Sequence, residues 1–165
     1  MKNAITVLFL SFILKLNANT GQLWTLFKNA ATEETSAKEL VAITKNFGDN
    51  SPALLKGYRG IASLMMCNHV ANPFTKLSYF KEGKKWIESA IKKDSTSLEL
   101  RFFRFSTQCN APSMLGYNTS LRSDKLFLIN YIIRNKDEKE SKLEDVCAFL
   151  LSSGQLDEKE KKLIS

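Results

Sequence analysis

Two dipeptides, Ser51-Pro52 and Asn72-Pro73, leave few folds open to this chain. A Ser or Asn side chain accepts the free amides at a helix start, and proline suits the first helical position because it has no amide to lose. Each pair therefore opens a helix, and the first helix must end before the second begins. ALLKGYRGIASLMMCNHVA fills the first span and PFTKLSYFKEGKKWIESAIKK the second. Three further starts carry a capping-box pattern: Ser36 with Glu39, Thr96 with Glu99, and Ser141 with Glu144. Thr119 or Ser120 opens LRSDKLFLINYIIR, and Gly48 and Gly154 stand where helices stop.

Between these marks the apolar spacing is helical. Leu23, Leu26, Phe27 and Ala30 share one face of residues 22–31. Leu77, Phe80, Gly83, Ile87, Ala90 and Ile91 form a stripe, with Lys81, Lys84, Lys85, Glu88 and Lys92 on the wet side. Leu143, Val146, Cys147, Leu150 and Leu151 line a later helix, and DEKEKKLIS forms a short charged terminal one. No stretch reads as a strand. Six or seven helices on short connectors must run antiparallel to their neighbours, so the expectation is an all-α fold of stacked antiparallel helical hairpins. A hydrophobic fraction of 44% and a charged fraction of 25% suit one globular domain, placed at 19–165 with 135–165 as a looser C-terminal cap.

The first residues, MKNAITVLFLSFILKLNANTG, have the layout of a secretory signal peptide over 1–18: Lys2, an apolar core, then small and polar residues with cleavage near Ala18. The core is shorter than the ~20 apolar residues a membrane-spanning helix needs. The reading is a secreted or periplasmic protein with no transmembrane span after cleavage. A composition heavy in Lys, Asn, Ile and Phe points to a bacterial source, which leaves the Asn118-Thr119-Ser120 sequon little meaning. Of the net charge of +7, Lys2 and Lys15 leave with the leader. The mild excess that remains is no nucleic-acid signature. Lys76, Lys81, Lys84, Lys85, Lys92 and Lys93 read as a solubilising face.

Catalytic sets are missing from the pattern. Cys67 and His69 are two residues apart on a helix and Ser63 and His69 six apart, so neither pair converges. His69, the sole histidine, reads as a cap that reaches free carbonyls at a helix end. Three cysteines, Cys67, Cys109 and Cys147, cannot complete a disulfide framework and match no zinc spacing; beside apolar neighbours they read as small buried thiols. No metal site, cofactor or enzymatic activity is expected.

LELRFFRFSTQCNAPSMLGYN mixes arginine with phenylalanine. As a helix, Leu98, Phe102, Phe105 and Cys109 make one stripe, while Arg101, Arg104 and Gln108 make another. Leu100 and Phe103 widen the apolar arc, so this helix belongs in the middle of a stack. Asp94, Glu99, Asp124 or loop carbonyls are the expected structural partners of the arginines. The functional expectation is a clamp for an anion or a peptide carboxylate, built from Arg101 and Arg104 and completed by Tyr117 and Asn118.

YFKEGKKWIESAIKKDSTSLELRFFR resembles the second helix of a tetratricopeptide hairpin and the run into the next repeat. Gly83 stands at the small position, Ile87 where an aromatic usually follows, and Ala90 three residues on. Asp94-Ser95 takes the Asp-Pro position without its proline. The preceding helix has Gly57, Gly60 and Ala62 but lacks the Trp, Leu-Gly and Tyr spacing, and no 34-residue period recurs. The resemblance covers one hairpin. It implies a right-handed array that binds peptides or proteins in a concave groove, and it extends to small exported bacterial proteins built on such hairpins. The resulting reading is a non-catalytic protein- or peptide-binding or assembly module at the bacterial envelope, with a peptide or protein partner. The alternative is a small helical ligand carrier or enzyme using an Arg101/Arg104/Tyr117 pocket.

Overall fold

The computed structural model describes residues 20–138 and 141–165, and among them every regular element is helical. The elements are α1 (20–30), α2 (Glu34–Thr44), α3 (Ala53–Met66), α4 (Pro73–Lys93), α5 (Leu98–Asn110), a single 3₁₀ turn (Ser113–Leu115), α6 (Leu121–Arg134), α7 (Ser141–Ser152) and α8 (Glu158–Ile164). The expected signal peptide, 1–18, lies outside the described residues.

One helix start works as its sequence suggests. Asn72 Oδ1 accepts the amides of Phe74 and Thr75 at 2.9 and 3.1 Å, with Pro73 at the first helical position. The others shift. Ser51 accepts the Gly48 amide and closes the preceding turn, leaving α3 without a side-chain cap. Ser36 lies inside α2 and donates to Glu33, so the Ser36/Glu39 box is unused. Ser97, rather than Thr96, caps α5. Among the described residues the one complete capping box is Asp157 with Glu160 at the start of α8. Residue type fixes only that an oxygen can cap; the competing turn before the helix decides whether it does.

Helix α3 packs on α4 along its length and on α2 at its other side; α5 touches α3, α4 and α6, and α6 meets α7 and α8. The α3/α4 joint closes on two glycines. A Cβ added to Gly60 would lie 2.9 Å from the Gly83 carbonyl, and one added to Gly83 would lie 2.7 Å from the Gly60 carbonyl. Backbone meets backbone there, which only glycine permits.

The interior is aromatic around α1 and α5. Trp24 and Phe27 pack against Phe102 and Phe103, Tyr58 meets Phe103 edge-on, and Phe149 of α7 covers Phe102 and Phe105. Helix α7 is further held by Asp145, which accepts from Trp24 Nε1 at 2.8 Å and pairs with Lys28 at 2.9 Å. Nine of the thirteen residues of α5 are buried, so it is enclosed on nearly every side, as its two-faced pattern implies.

The apolar stripe expected along α4 holds only from Phe80 onward. Residues 71–78 are all exposed: Leu77 is 36% accessible and Phe74, at the tip, 81%. The helix runs past the body it packs on. The cysteines, expected to be buried, are all half-buried and free. Cys67 donates to the Lys76 carbonyl and Cys147 to that of Ile164. Burial raises all three thiols, Cys109 to about 11, which keeps them protonated and unreactive at neutral pH. His69 acts as a cap on a different helix from its own: its Nε2 lies 2.7 Å from the carbonyl of Ala30, the last residue of α1.

Candidate functional site

A helix enclosed like α5 must pair its polar side chains internally, because a buried unpaired charge is far costlier than a buried methylene. Arg101 and Arg104 lie three residues apart and so share a face. Opposite them, the first turn of α6 presents Asp124, whose side chain is wholly inaccessible. Arg104 grips it with two parallel bonds, Nε to Oδ2 at 2.6 Å and Nη2 to Oδ1 at 2.8 Å. Arg101 adds Nη1 to Oδ1 at 2.6 Å and gives its Nε to the Ser95 carbonyl at 2.9 Å. From α4, Glu88 receives Arg104 Nη1 at 2.9 Å and the Tyr117 hydroxyl at 2.7 Å. Three helices and the 111–120 loop are thus tied at one point.

The cluster holds two cations and two anions. Burial opposes the charge on Arg104, but the hydrogen bonds and charge of Asp124, with Glu88 behind them, outweigh it and raise its pKa. Burial and the Glu88 carboxylate both raise the Tyr117 hydroxyl, so it stays a donor at any physiological pH. The structure therefore brings three of the four expected clamp residues together, around acids of the chain itself. Asn118 stands apart, exposed, with its carbonyl accepting the Leu121 amide at 3.2 Å. Of the expected arginine partners, Asp124 and a loop carbonyl serve. Asp94 instead takes Thr96, and Glu99 turns to another cluster. Glu88, read as part of the wet side of α4, was the partner the pattern concealed.

One turn beyond Arg104, Gln108 is 4% accessible and its amide oxygen and nitrogen both lack a partner among the described residues. An unsatisfied buried amide costs on the order of 1–3 kcal/mol. Gln108→Met keeps the volume and removes the polar atoms, so it is expected to raise folding stability by about 1 kcal/mol in urea denaturation. A loss of stability would show that the amide is engaged.

The second cluster lies at the start of α5. Glu99, almost fully buried, accepts Lys142 of α7 and lies 3.1 Å from the Tyr58 hydroxyl, which is also 3.3 Å from the Thr20 carbonyl. Beside this relay, Ser97, Leu98, Glu99, Tyr131 and Lys142 line a recess of about 200 Å³ where α5, α6 and α7 converge. A smaller recess of about 70 Å³ lies between α2, α3 and α4, near Arg59, Tyr79 and Glu82. Neither is lined by Arg101, Arg104 or Tyr117. Lys142 follows a charged run that looks like solvated surface, so its spacing carries no mark of this role.

Among the described residues no three His, Cys, Asp or Glu side chains are grouped to hold a metal ion, and no helix is long and apolar enough to cross a membrane. No protein-family model, curated protein or solved structure matches the chain.

Proposed function

We propose that this protein is a non-catalytic module, exported to the bacterial envelope, that binds a peptide or protein segment at the recess between α5, α6 and α7. The observation that carries the reading is the recess itself. At about 200 Å³ it suits a single side chain of a partner, with Leu98 and Tyr131 as apolar wall and Ser97, Glu99 and Lys142 as polar rim. Tetratricopeptide-like packing of the hairpins in a right-handed array is part of the same proposal, supported by the small-residue contact of Gly60 with Gly83. Export rests on the leader-like first residues. The alternative, a carrier or enzyme working through Arg101, Arg104 and Tyr117, asks both guanidiniums to exchange Asp124 for a ligand, and that buried pairing counts against it.

A photo-crosslinking amino acid at Tyr131 in the full chain, expressed in its native cell, tests the proposal. Discrete adducts are expected from position 131 and not from Leu163, which is exposed on α8. Adducts identical at both positions, or none at 131, would overturn it.

A further inference from the structure

The free end of α4 is unlike the rest of the surface. Phe74, 81% exposed, falls on the outward side of the 3.6-residue helix with Lys81 and Lys85. Leu77, 36% exposed, lies at the edge of that side, next to Lys84, whose ammonium sits over the Tyr117 ring. The loop packed beside this helix, through Phe80 on Tyr117, holds Met114, which is 89% exposed. Helix α4 carries six lysines and two glutamates. Both glutamates are paired with groups other than these lysines, Glu82, still 44% accessible, with Arg59 and Glu88 with Arg104 and Tyr117. None of the six lysines has an ion pair among the described residues. The outward face therefore carries a net positive charge, with bulky apolar side chains projecting at its tip.

We infer that this face docks on an anionic phospholipid membrane, with Phe74 and Leu77 seated at the level of the acyl chains and the lysines among the headgroups. Three observations favour lipid over an acidic protein. The apolar residues project from a helix end, a shape that a deformable interface accommodates without a preformed pocket. The cations are lysines on long flexible stems, which can lie along an apolar surface while the ammonium reaches the headgroups. Their charges are spread along the helix rather than converging on a point, matching a sheet of negative charge. The contact is peripheral and distinct from a transmembrane span. It also leaves the α5–α7 recess usable: 21 helical residues separate the tip of α4 from the turn that leads into Ser97, about 30 Å at 1.5 Å per residue.

The test is flotation of the full chain with vesicles containing phosphatidylglycerol and with pure phosphatidylcholine vesicles. Binding is expected to the first alone, falling steeply as salt rises. Phe74→Ser/Leu77→Ser and Lys81→Glu/Lys85→Glu should each weaken it by about tenfold or more, since a juxtamembrane lysine and a buried apolar side chain each carry a large share of such binding. These positions are exposed, so unchanged circular dichroism melts are expected of both variants. A Phe74→Trp variant adds a direct readout: the fluorescence of the added indole should shift to the blue on anionic vesicles. Equal binding to both vesicle types, no binding to either, or binding that leaves this variant's emission unmoved would overturn the inference. So would selective capture of an acidic protein by this face in the absence of lipid binding.

Discussion

Asp124→Ala is expected to cost about 3–5 kcal/mol of folding stability, the largest loss of any single polar substitution in this protein. The substitution removes three charge-assisted hydrogen bonds at once. It also strands Arg104, whose side chain is only 8% accessible, with Glu88 as its remaining acid. A guanidinium cannot shed its charge to escape, so the penalty falls on the fold. Urea denaturation of the variant measures the loss. The triple replacement Arg101→Met/Arg104→Met/Asp124→Leu should recover most of it, because an apolar set of similar volume leaves no stranded charge and Glu88, 39% accessible, can turn to water. A loss below about 1 kcal/mol for Asp124→Ala would mean that the cluster does not hold the helices together, and would reopen its reading as a ligand clamp.

Gly60→Ala and Gly83→Ala should each lower the melting temperature by about 4–8 °C, a net cost of about 2 kcal/mol. Alanine is intrinsically better in a helix by roughly 1 kcal/mol, so the sign depends on what the new methyl meets. At Gly60 it meets Ile87 Cγ1 at 2.7 Å, the Gly83 carbonyl and the Ile87 amide nitrogen. At Gly83 it meets the Gly60 carbonyl and Leu64 Cγ at 2.5 Å. Backbone atoms of a packed helix cannot step aside, so α3 and α4 must separate along their whole contact. Gly57→Ala is the control. Its methyl would lie 2.0 Å from Leu100 Cδ2, the far end of a side chain that can change rotamer, and a smaller loss is expected. Equal effects at all three positions, read by thermal circular dichroism, would refute the backbone argument.

Helix existence was legible because it depends on local periodicity. The marks at 72–73 and the two-faced pattern of 98–109 lead directly to α4 and to the enclosed α5. Helix starts were less legible: Ser36, Ser51 and Thr96 carry the right atoms, but each finds a nearer partner outside the free amides. The Asp157/Glu160 box was written in the sequence and hidden in a run of charge that reads as solvated surface. Of the candidate site, the spacing of Arg101 and Arg104 was visible, and Asp124 was among their foreseeable partners. Glu88 and Lys142 were not, because partners 16 and 43 residues away are set by which helices touch.

What the sequence determined by itself is the class of fold and the periodic faces of its helices, both products of interactions within a few residues along the chain. Tertiary structure alone decided which faces are covered. Leu77 belongs by spacing to the stripe of Gly83 and Ile87, yet α4 outruns the helix it packs on and leaves Leu77, with Phe74, in solvent. Arg104 looks like a residue for an external anion, yet the approach of α6 gives it an internal one. Length and spacing are local quantities, whereas burial and charge pairing depend on a second helix arriving.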